Sequence, residues 1–175
     1  RYRAVTLRCF EWAGWKPGDG WARIWGADID VSPHQQRRQR VIDTLSRRMV
    51  IPAWELSDKT MDDYAARLAQ FEPTVIEAYT NPLYLFATHL LKNNITSIRP
   101  VSVVSSAETL FPHQRQAMEK AFACKVFNRY GTREVGQIAH ECSHGAMHIQ
   151  SEHVMLEFER DGRLVNANES GEILV

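Results

Sequence analysis

The sequence predicts an α/β fold: a mostly parallel sheet with helices on its faces, followed by a β-rich C-terminal portion. Strand-like and helix-like segments alternate between residues 48 and 131, which is typical of a parallel sheet with covering helices. The last third carries short alternating segments separated by the turns DGR and ESG, which predict β-structure. A chain of 175 residues is long enough for one domain with a hydrophobic core.

The individual elements follow from apolar spacing and from residues that begin or end helices. Helices are predicted at PHQQRRQRVIDTLSRR, MDDYAARLAQF, PLYLFATHLLKNN and FPHQRQAMEKAF, and strands at RMVIPAW, TVIEAY, VSVVSS, MHIQ, HVMLEFER and GEILV, with CKVFNRYG as a strand and a loop. Thr60 is the predicted N-cap of the second helix, Asp62 and Asp63 follow it, and Pro73 ends this helix.

These elements divide one structural domain into three segments. Residues 1–32 are rich in Trp, Gly and Pro and predict turns and short strands. Residues 33–134 predict an α/β sheet subdomain that carries the candidate ligand-binding loops, and residues 135–175 predict a His- and Cys-containing loop with a β-rich segment. Because the chain begins without Met and ends in the strand-like GEILV, we expect a piece truncated at both ends.

Composition argues against several classes of protein. The formal net charge is zero at pH 7, so no strong field attracts nucleic acid or an anionic membrane surface. No apolar run approaches the length of a membrane helix. Three cysteines (Cys9, Cys124 and Cys142) do not make a disulfide framework, so reduced thiols and a cytoplasmic location are predicted. The oligomeric state stays open, with a dimer as one option.

Two loops after predicted strands are candidates for binding a ligand, because open α/β sheets bind ligands beyond the carboxyl ends of their strands. These loops are SSAETL, residues 105–110, and NRYGTRE, residues 128–134. In the second loop Tyr130 can stack on a flat ring, Gly131 permits a tight backbone, and Glu134 can bind Mg²⁺. The alternative is an ordinary strand-to-helix turn capped by a glutamate.

A group of histidines and a cysteine follows the second loop. His140, Cys142, His144 and His148 fall within nine residues, with His153 five further on. Imidazole nitrogen and thiolate sulfur are ligands suited to tetrahedral Zn²⁺. The alternative is a surface loop in which the histidines are solvated and the cysteine is buried.

Several segments occur in the order that they have in a known family. These are WKPGDGWARIWG, AYTNPLYLFATHL, SSAETL, NRYGTREVGQIAHEC and ESGEILV. The chain resembles the adenylate-forming (acyl-CoA synthetase) superfamily, in particular its phenylacetate–CoA ligase and CapK-like branch. The resemblance implies a central fragment of the large N-terminal domain of such an enzyme. Members activate a small carboxylic acid with ATP to give an acyl-adenylate, and coenzyme A then displaces AMP.

The resemblance implies roles for the residues of both loops. Ser106, Ala107 and Glu108 flank the adenine, Asn128 and Tyr130 bind it, and Arg129 and Gly131 belong to the same nucleotide motif. Glu134 holds Mg²⁺ against the phosphates. The family usually has Thr or Ser immediately before this glutamate, whereas this chain has Arg133 there and Thr132 one position earlier. Either side chain can take the phosphate contact, and both assignments stay open.

Other implications concern the parent protein and the metal. The phosphate loop, the ribose-binding aspartate and the catalytic lysine of the family have no counterpart in the sequence, so we expect this chain to be inactive alone and to bind ATP weakly or not at all. Glu141, Cys142 and His148 resemble the E-C-x₅-H pattern of CapK-like relatives, which implies structural Zn²⁺. The competing hypothesis is a non-catalytic, zinc-stabilised module that binds a nucleotide or a protein.

Overall fold

A seven-stranded sheet forms the centre of the structure, a computed structural model that describes residues 2–26 and 33–175. Its strands are β1 (Trp21–Trp25), β2 (Arg48–Pro52), β3 (Val75–Tyr79), β4 (Ser102–Ser106), β5 (Lys125–Thr132), β6 (Gly136–Glu141) and β7 (Met147–Ile149), in the spatial order β2-β1-β3-β4-β5-β6-β7. β1 to β5 are parallel, whereas β6 and β7 are antiparallel to their neighbours. The predicted α/β class is therefore confirmed.

Helices cover both faces of this sheet. They are α1 (Tyr2–Trp12), α2 (Pro33–Leu45), α3 (Asp58–Phe71), α4 (Thr80–Lys92) and α5 (Pro112–Phe122). Buried side chains of α3, α4 and α5 pack with one set of strand residues, among them Ile24, Ile76 and Val103. Phe10 of α1 packs on the opposite face with residues such as Val104. Within the described ranges, no helix has the length and apolarity that a membrane span requires.

The C-terminal portion adds a second, smaller sheet. Its three antiparallel strands are β8 (Glu157–Arg160), β9 (Arg163–Leu164) and β10 (Glu172–Leu174), in the order β10-β8-β9. Asp161 and Gly162 have positive φ angles of 55° and 76° in the turn between β8 and β9. This matches the turn that DGR predicts, and the β-rich C-terminal portion is confirmed.

The first of the three predicted segments contains a helix that the sequence reasoning did not predict. Residues 1–32 were expected to form turns and short strands, which fits β1, but residues 2–12 form α1. The signal was present, because the buried Val5, Cys9, Phe10 and Ala13 recur at helical spacing. Residues 27–32 lie outside the described residues. The central sheet also crosses both predicted segment boundaries, since β1 and β6 belong to it.

The start of α3 differs from the prediction by three residues. Ser57, not Thr60, is the N-cap: its hydroxyl accepts a hydrogen bond from the Thr60 backbone N–H at 3.2 Å. The Thr60 hydroxyl in turn accepts one from the Ser57 backbone N–H at 2.9 Å. Asp58 then occupies the first turn, where the helix dipole favours a negative charge. The two residues form a reciprocal capping box, which Thr can complete in place of the usual Glu or Gln.

Replacing Ser57 by Ala removes the side-chain half of this capping box. We expect the free energy of unfolding to fall by about 1 kcal/mol, the usual loss for a helix N-cap. Urea unfolding followed by circular dichroism measures the change. Ser97→Ala, at an exposed position outside the helices, is the matched control, and an equal loss in both variants contradicts the capping assignment.

Candidate functional site

The two candidate loops lie side by side at the carboxyl edge of the parallel strands. β4 and β5 are neighbours, and their register pairs Ser105 with Asn128 and Ser106 with Arg129. The segment that begins at Ala107 therefore leaves the sheet beside Tyr130. This is the edge at which α/β sheets bind their ligands.

The loop after β4 is fastened to the start of α4. The Thr80 hydroxyl lies 2.8 Å from that of Ser105, and the backbone N–H of Asn81 donates to the Glu108 carboxylate at 2.6 Å. A carboxylate at this helix N-terminus is stabilised by the unpaired N–H groups and the helix dipole. Ala107, which precedes Glu108, has a φ angle of +73°, a strained conformation for a residue with a Cβ atom. The loop thus has a fixed shape, and Glu108 is already engaged.

The second loop is the tip of a hairpin formed by β5 and β6. β5 continues three residues past its last partner in β4, which carries the tip roughly 10 Å beyond the end of β4. Tyr130 is 43% exposed there. At Gly131 an added Cβ would lie 2.2 Å from the Gly136 carbonyl oxygen, so the strand pairing itself requires glycine. Arg133 and Glu134 are exposed.

Two predicted residues of this hairpin are held by local contacts. The Thr132 hydroxyl accepts a hydrogen bond from the Val135 backbone N–H at 3.1 Å. The Asn128 backbone N–H donates to the Glu141 carboxylate at 2.9 Å, and the same carboxylate oxygen is 2.7 Å from an Arg115 nitrogen. Glu141 is buried, so this ion pair is shielded from water. Glu141, which Arg115 of α5 holds, therefore fixes β5 at the position of Asn128.

Arg129 has an environment that differs from the predicted nucleotide contact. Its side chain is 7% exposed and its Nη1 pairs with Glu77 of β3. Glu77 is 1% exposed and also accepts from Arg23 Nε of β1 at 2.7 Å. We call these three residues the Arg23–Glu77–Arg129 cluster. They lie on the sheet face that α1 covers, so the Arg129 guanidinium points into the protein.

The proposed zinc ligands do not form a metal site in this geometry. Among the described residues, no group of three or more His, Cys, Asp or Glu side chains is placed to hold a metal ion. His140 is fully buried in β6, and its Nδ1 lies 2.7 Å from the Glu141 carbonyl oxygen. His144 is exposed in the turn that follows. The expected loop is instead a strand, a turn and a second strand, in which His140 and His148 are cross-strand partners and His144 lies in the turn between them.

The individual cluster residues have other neighbours. The rings of His140 and His148 both lie edge-on to Trp12 of α1, with centroids 6.4 and 5.6 Å away, and Phe127 stacks on His140. Backbone N–H groups of His144 and Ala146 lower the pKa of the Cys142 thiol. These contacts explain the residues through packing and turn structure. The Zn²⁺ prediction, and with it the zinc-stabilised module, has no support from the arrangement of the side chains.

His140 should make stability depend on pH. Burial lowers the pKa of His140 to about 4, well below the ordinary value, so the unfolded chain binds its proton at a higher pH than the folded chain. Stability from this group is fully present above about pH 6.5 and falls as the pH drops towards 4. We therefore expect His140→Phe to become more stable relative to the wild type, by up to roughly 3 kcal/mol, between pH 7.5 and pH 4.

Urea unfolding at pH 7.5 and pH 4.5 tests this effect. His144→Phe, at an exposed turn position, is the matched control and should follow the wild type at both values. A constant difference between wild type and His140→Phe across this range contradicts the assignment.

Sequence reasoning missed the ion pairs that hold the site. Glu77 stands in the otherwise apolar strand segment TVIEAY, and a charge inside a buried parallel strand is a signal for a buried partner. The partners themselves had no local signal, since Arg129 is 52 positions away and Arg23 is 54. Glu141 was noted only as part of the His–Cys pattern.

Comparison with solved structures defines the class of the fold. A structure of 2-hydroxyisobutyryl-CoA ligase with 2-HIB-AMP and CoA matches with a TM-score of 0.75 and 12% identity, over 97% of this chain and 38% of that chain. The anthranilate CoA ligase AuaEII with anthranoyl-AMP matches with a TM-score of 0.58 and 16% identity, over 95% and 34%. The chain has the fold of the corresponding part of adenylate-forming CoA ligases.

A curated relative narrows the resemblance. Protein CapK of Staphylococcus aureus is 31% identical over 103 residues, which cover 58% of this chain and 23% of that protein. The matched region thus spans about a quarter of CapK. The resemblance to the CapK-like branch of the adenylate-forming superfamily is confirmed. No protein-family model matches the chain.

Proposed function

We propose that the complete protein is an ATP-dependent, AMP-forming carboxylate–CoA ligase of the phenylacetate–CoA ligase type. In this proposal the chain supplies the loops that bind adenine and Mg²⁺ and part of the acyl pocket. The observation that carries the proposal is the adjacency of the SSAETL and NRYGTRE loops at the carboxyl edge of one parallel sheet. The similarity to CapK and the fold of CoA ligases support it.

The adenine site is assigned to the two loops. The exposed ring of Tyr130 supports stacking on adenine. Asn128 is half-buried, and its backbone is fixed by Glu141, which supports a hydrogen bond to the adenine amine. Ser106, Ala107 and Glu108 line the other side, where the rigid backbone at Ala107 supports a fixed ring position. In this assignment the Arg129 side chain faces the part of the site that would bind the acyl group, not the part that would bind adenine.

The phosphate and metal contacts are assigned to the hairpin tip. One exposed carboxylate, Glu134, suits Mg²⁺, which commonly binds one or two carboxylates together with substrate phosphates. We assign the α-phosphate contact to Arg133, because its guanidinium is exposed while the Thr132 hydroxyl is engaged by Val135. When bound, Mg²⁺ neutralises charge on the phosphates. The residues of the chain hold and orient the reacting groups, and this supplies catalysis through position and electrostatics.

Pyrophosphate release by the complete protein tests the proposal. With ATP, Mg²⁺ and a panel of carboxylic acids, we expect acid-dependent release of pyrophosphate, followed by CoA-dependent release of AMP. The absence of both reactions with aromatic, fatty, hydroxy and dicarboxylic acids alike would overturn the proposal. We propose that the complete protein acts in the cytoplasm, and that neither nucleic acid nor a membrane is its partner.

ATP binding by the chain alone also tests the proposal. We expect calorimetry to detect weak or no ATP binding, because the chain supplies only part of the proposed site. Micromolar affinity for ATP would contradict the proposal that this chain supplies only part of the nucleotide site. The assignment of the complete protein as a ligase would be unaffected.

A further inference from the structure

The Arg23–Glu77–Arg129 cluster carries more positive than negative charge in a buried place. Two guanidinium groups share one carboxylate, and among the described residues Glu77 is the one ion-pair partner of either arginine. Glu77 and Arg129 are almost fully buried, and Arg23 is 24% exposed. A surplus charge away from water is costly unless a counter-charge meets it. The cluster is therefore suited to receiving an anion.

One unpartnered polar atom lies at the buried end of this cluster. Arg129 Nε is buried and has no hydrogen-bond partner among the described residues, whereas the buried Gln137 amide contacts the Cys9 thiol. The Cys9 thiol lies close to both Arg129 and Gln137 and so places them together beneath α1. Buried polar groups in proteins are nearly always hydrogen-bonded. The unused N–H donor of Arg129 beside a surplus positive charge points to a ligand group that is anionic and accepts hydrogen bonds.

The depth of the cluster shows which end of a ligand it would meet. Glu77 and Arg23 each stand two residues before the last residue of their strands, roughly 7 Å below the carboxyl edge. The loops assigned to the nucleotide lie at or beyond that edge. A carboxylate that reacts with the α-phosphate must lie at the level of these loops. Arg129 belongs to the second of these loops and pairs with Ser106 at the edge, so its guanidinium meets Glu77 from the edge side. The Arg23 end of the cluster therefore lies where the far end of the acid would be.

Aromatic side chains pack beside Arg23, the most exposed member of the cluster. The Arg23 guanidinium lies 4.1 Å from the centroid of the Trp25 ring, and Trp25 packs on Tyr79 with centroids 4.0 Å apart. Stacking on Trp25 orients the guanidinium without consuming its hydrogen-bond donors. Arg23 thus retains donors for a ligand.

We propose that the Arg23–Glu77–Arg129 cluster selects a carboxylic acid that carries a second anionic group. This inference rests on the proposed ligase function and names its substrate class: the carboxylate at one end of the acid is activated, and the second anion binds Arg23 and Arg129. Glu77 is a positioning residue, because it holds both guanidinium groups in place.

Matched pairs of acids test this proposal in the complete protein. Adipate and hexanoate have the same number of carbon atoms, and terephthalate is benzoate with a second carboxylate in the para position, so each pair differs by one carboxylate. We expect kcat/KM for pyrophosphate release to favour the dianionic acid by about tenfold or more, since a site with polar groups rejects analogues that leave them unpaired. Arg23→Met should reduce or invert this preference while the reaction with the neutral-ended acid continues.

Two further variants separate specificity from folding. Arg129→Met should have the same effect on the preference, and its melting temperature shows whether it folds; Arg23→Met, at a more exposed position, keeps the test valid if it does not. Arg67→Met, on the exposed face of α3, is the control and should leave the preference unchanged.

The outcomes distinguish this proposal from the ligase function on which it rests. Activity with hexanoate or benzoate but no preference for the dianionic partner overturns the proposal and leaves the ligase function intact. A preference for dianionic acids that survives in folded Arg23→Met and Arg129→Met also overturns it. If no acid gives pyrophosphate release, both the substrate-class proposal and the ligase function are overturned.

Discussion

Glu77→Gln is expected to lower the free energy of unfolding by about 3–5 kcal/mol, as removal of one partner from a buried ion pair does. Glu77 is the carboxylate between Arg23 and Arg129, and it is 1% exposed. Glutamine keeps the shape but loses the charge, so two guanidinium groups would face each other without a counter-ion. Their repulsion adds to the cost, because the protein interior screens charges poorly.

Urea unfolding of the two proteins at neutral pH measures the loss. Asp63→Asn is the matched control, because Asp63 forms an exposed ion pair with Arg67 at 3.7 Å on α3. Exposed pairs of this kind contribute about 0–1 kcal/mol. A loss below 1 kcal/mol for Glu77→Gln would show that the cluster is hydrated in solution, and high salt should then change the stability markedly.

The sheet was predictable because its evidence is local. Val75, Ile76 and Ala78 stand in a short apolar segment, and Pro73 separates this segment from a helix with regular apolar spacing. Such periodicity determines the secondary structure. Because connections between parallel strands are right-handed, few orders of the strands in the sheet are then possible. The helix α1 was missed because the Trp- and Gly-rich residues after it dominated the interpretation of the first segment. Its apolar spacing was readable.

The candidate site was predictable only in part, for a physical reason. Tyr130 and Gly131 come at the end of a predicted strand, so their place at the carboxyl edge could be inferred from position alone, although the strand itself continues through Thr132. The zinc prediction has no support from the geometry, because the residues that are near in sequence are divided between two strands and a turn. His140 lies in a buried strand, and pairing with β7 rather than metal binding decides where its side chain points. Ion pairs between strands that are distant in sequence, such as that of Glu77 and Arg129, have no local pattern in the sequence that would predict them.

Glu134→Gln in the complete protein is expected to lower the rate of pyrophosphate release by about a hundredfold or more, the usual loss when one group that stabilises transition-state charge is removed. Glu134 is exposed at the tip of the β5–β6 hairpin, where the proposed function assigns it to Mg²⁺. Glutamine retains an oxygen but loses the negative charge that a hard divalent cation prefers. Because the residue is exposed, the fold should be unaffected.

The dependence on Mg²⁺ concentration distinguishes a metal ligand from a merely structural residue. For Glu134→Gln we expect the half-saturating Mg²⁺ concentration to rise together with the loss of rate, and Mn²⁺ to restore part of the activity. Glu11→Gln, an exposed carboxylate on α1, is the control and should change neither quantity. A Glu134→Gln variant with unchanged Mg²⁺ dependence would remove Glu134 from the metal site. The hairpin tip would then hold the phosphates through Arg133 alone.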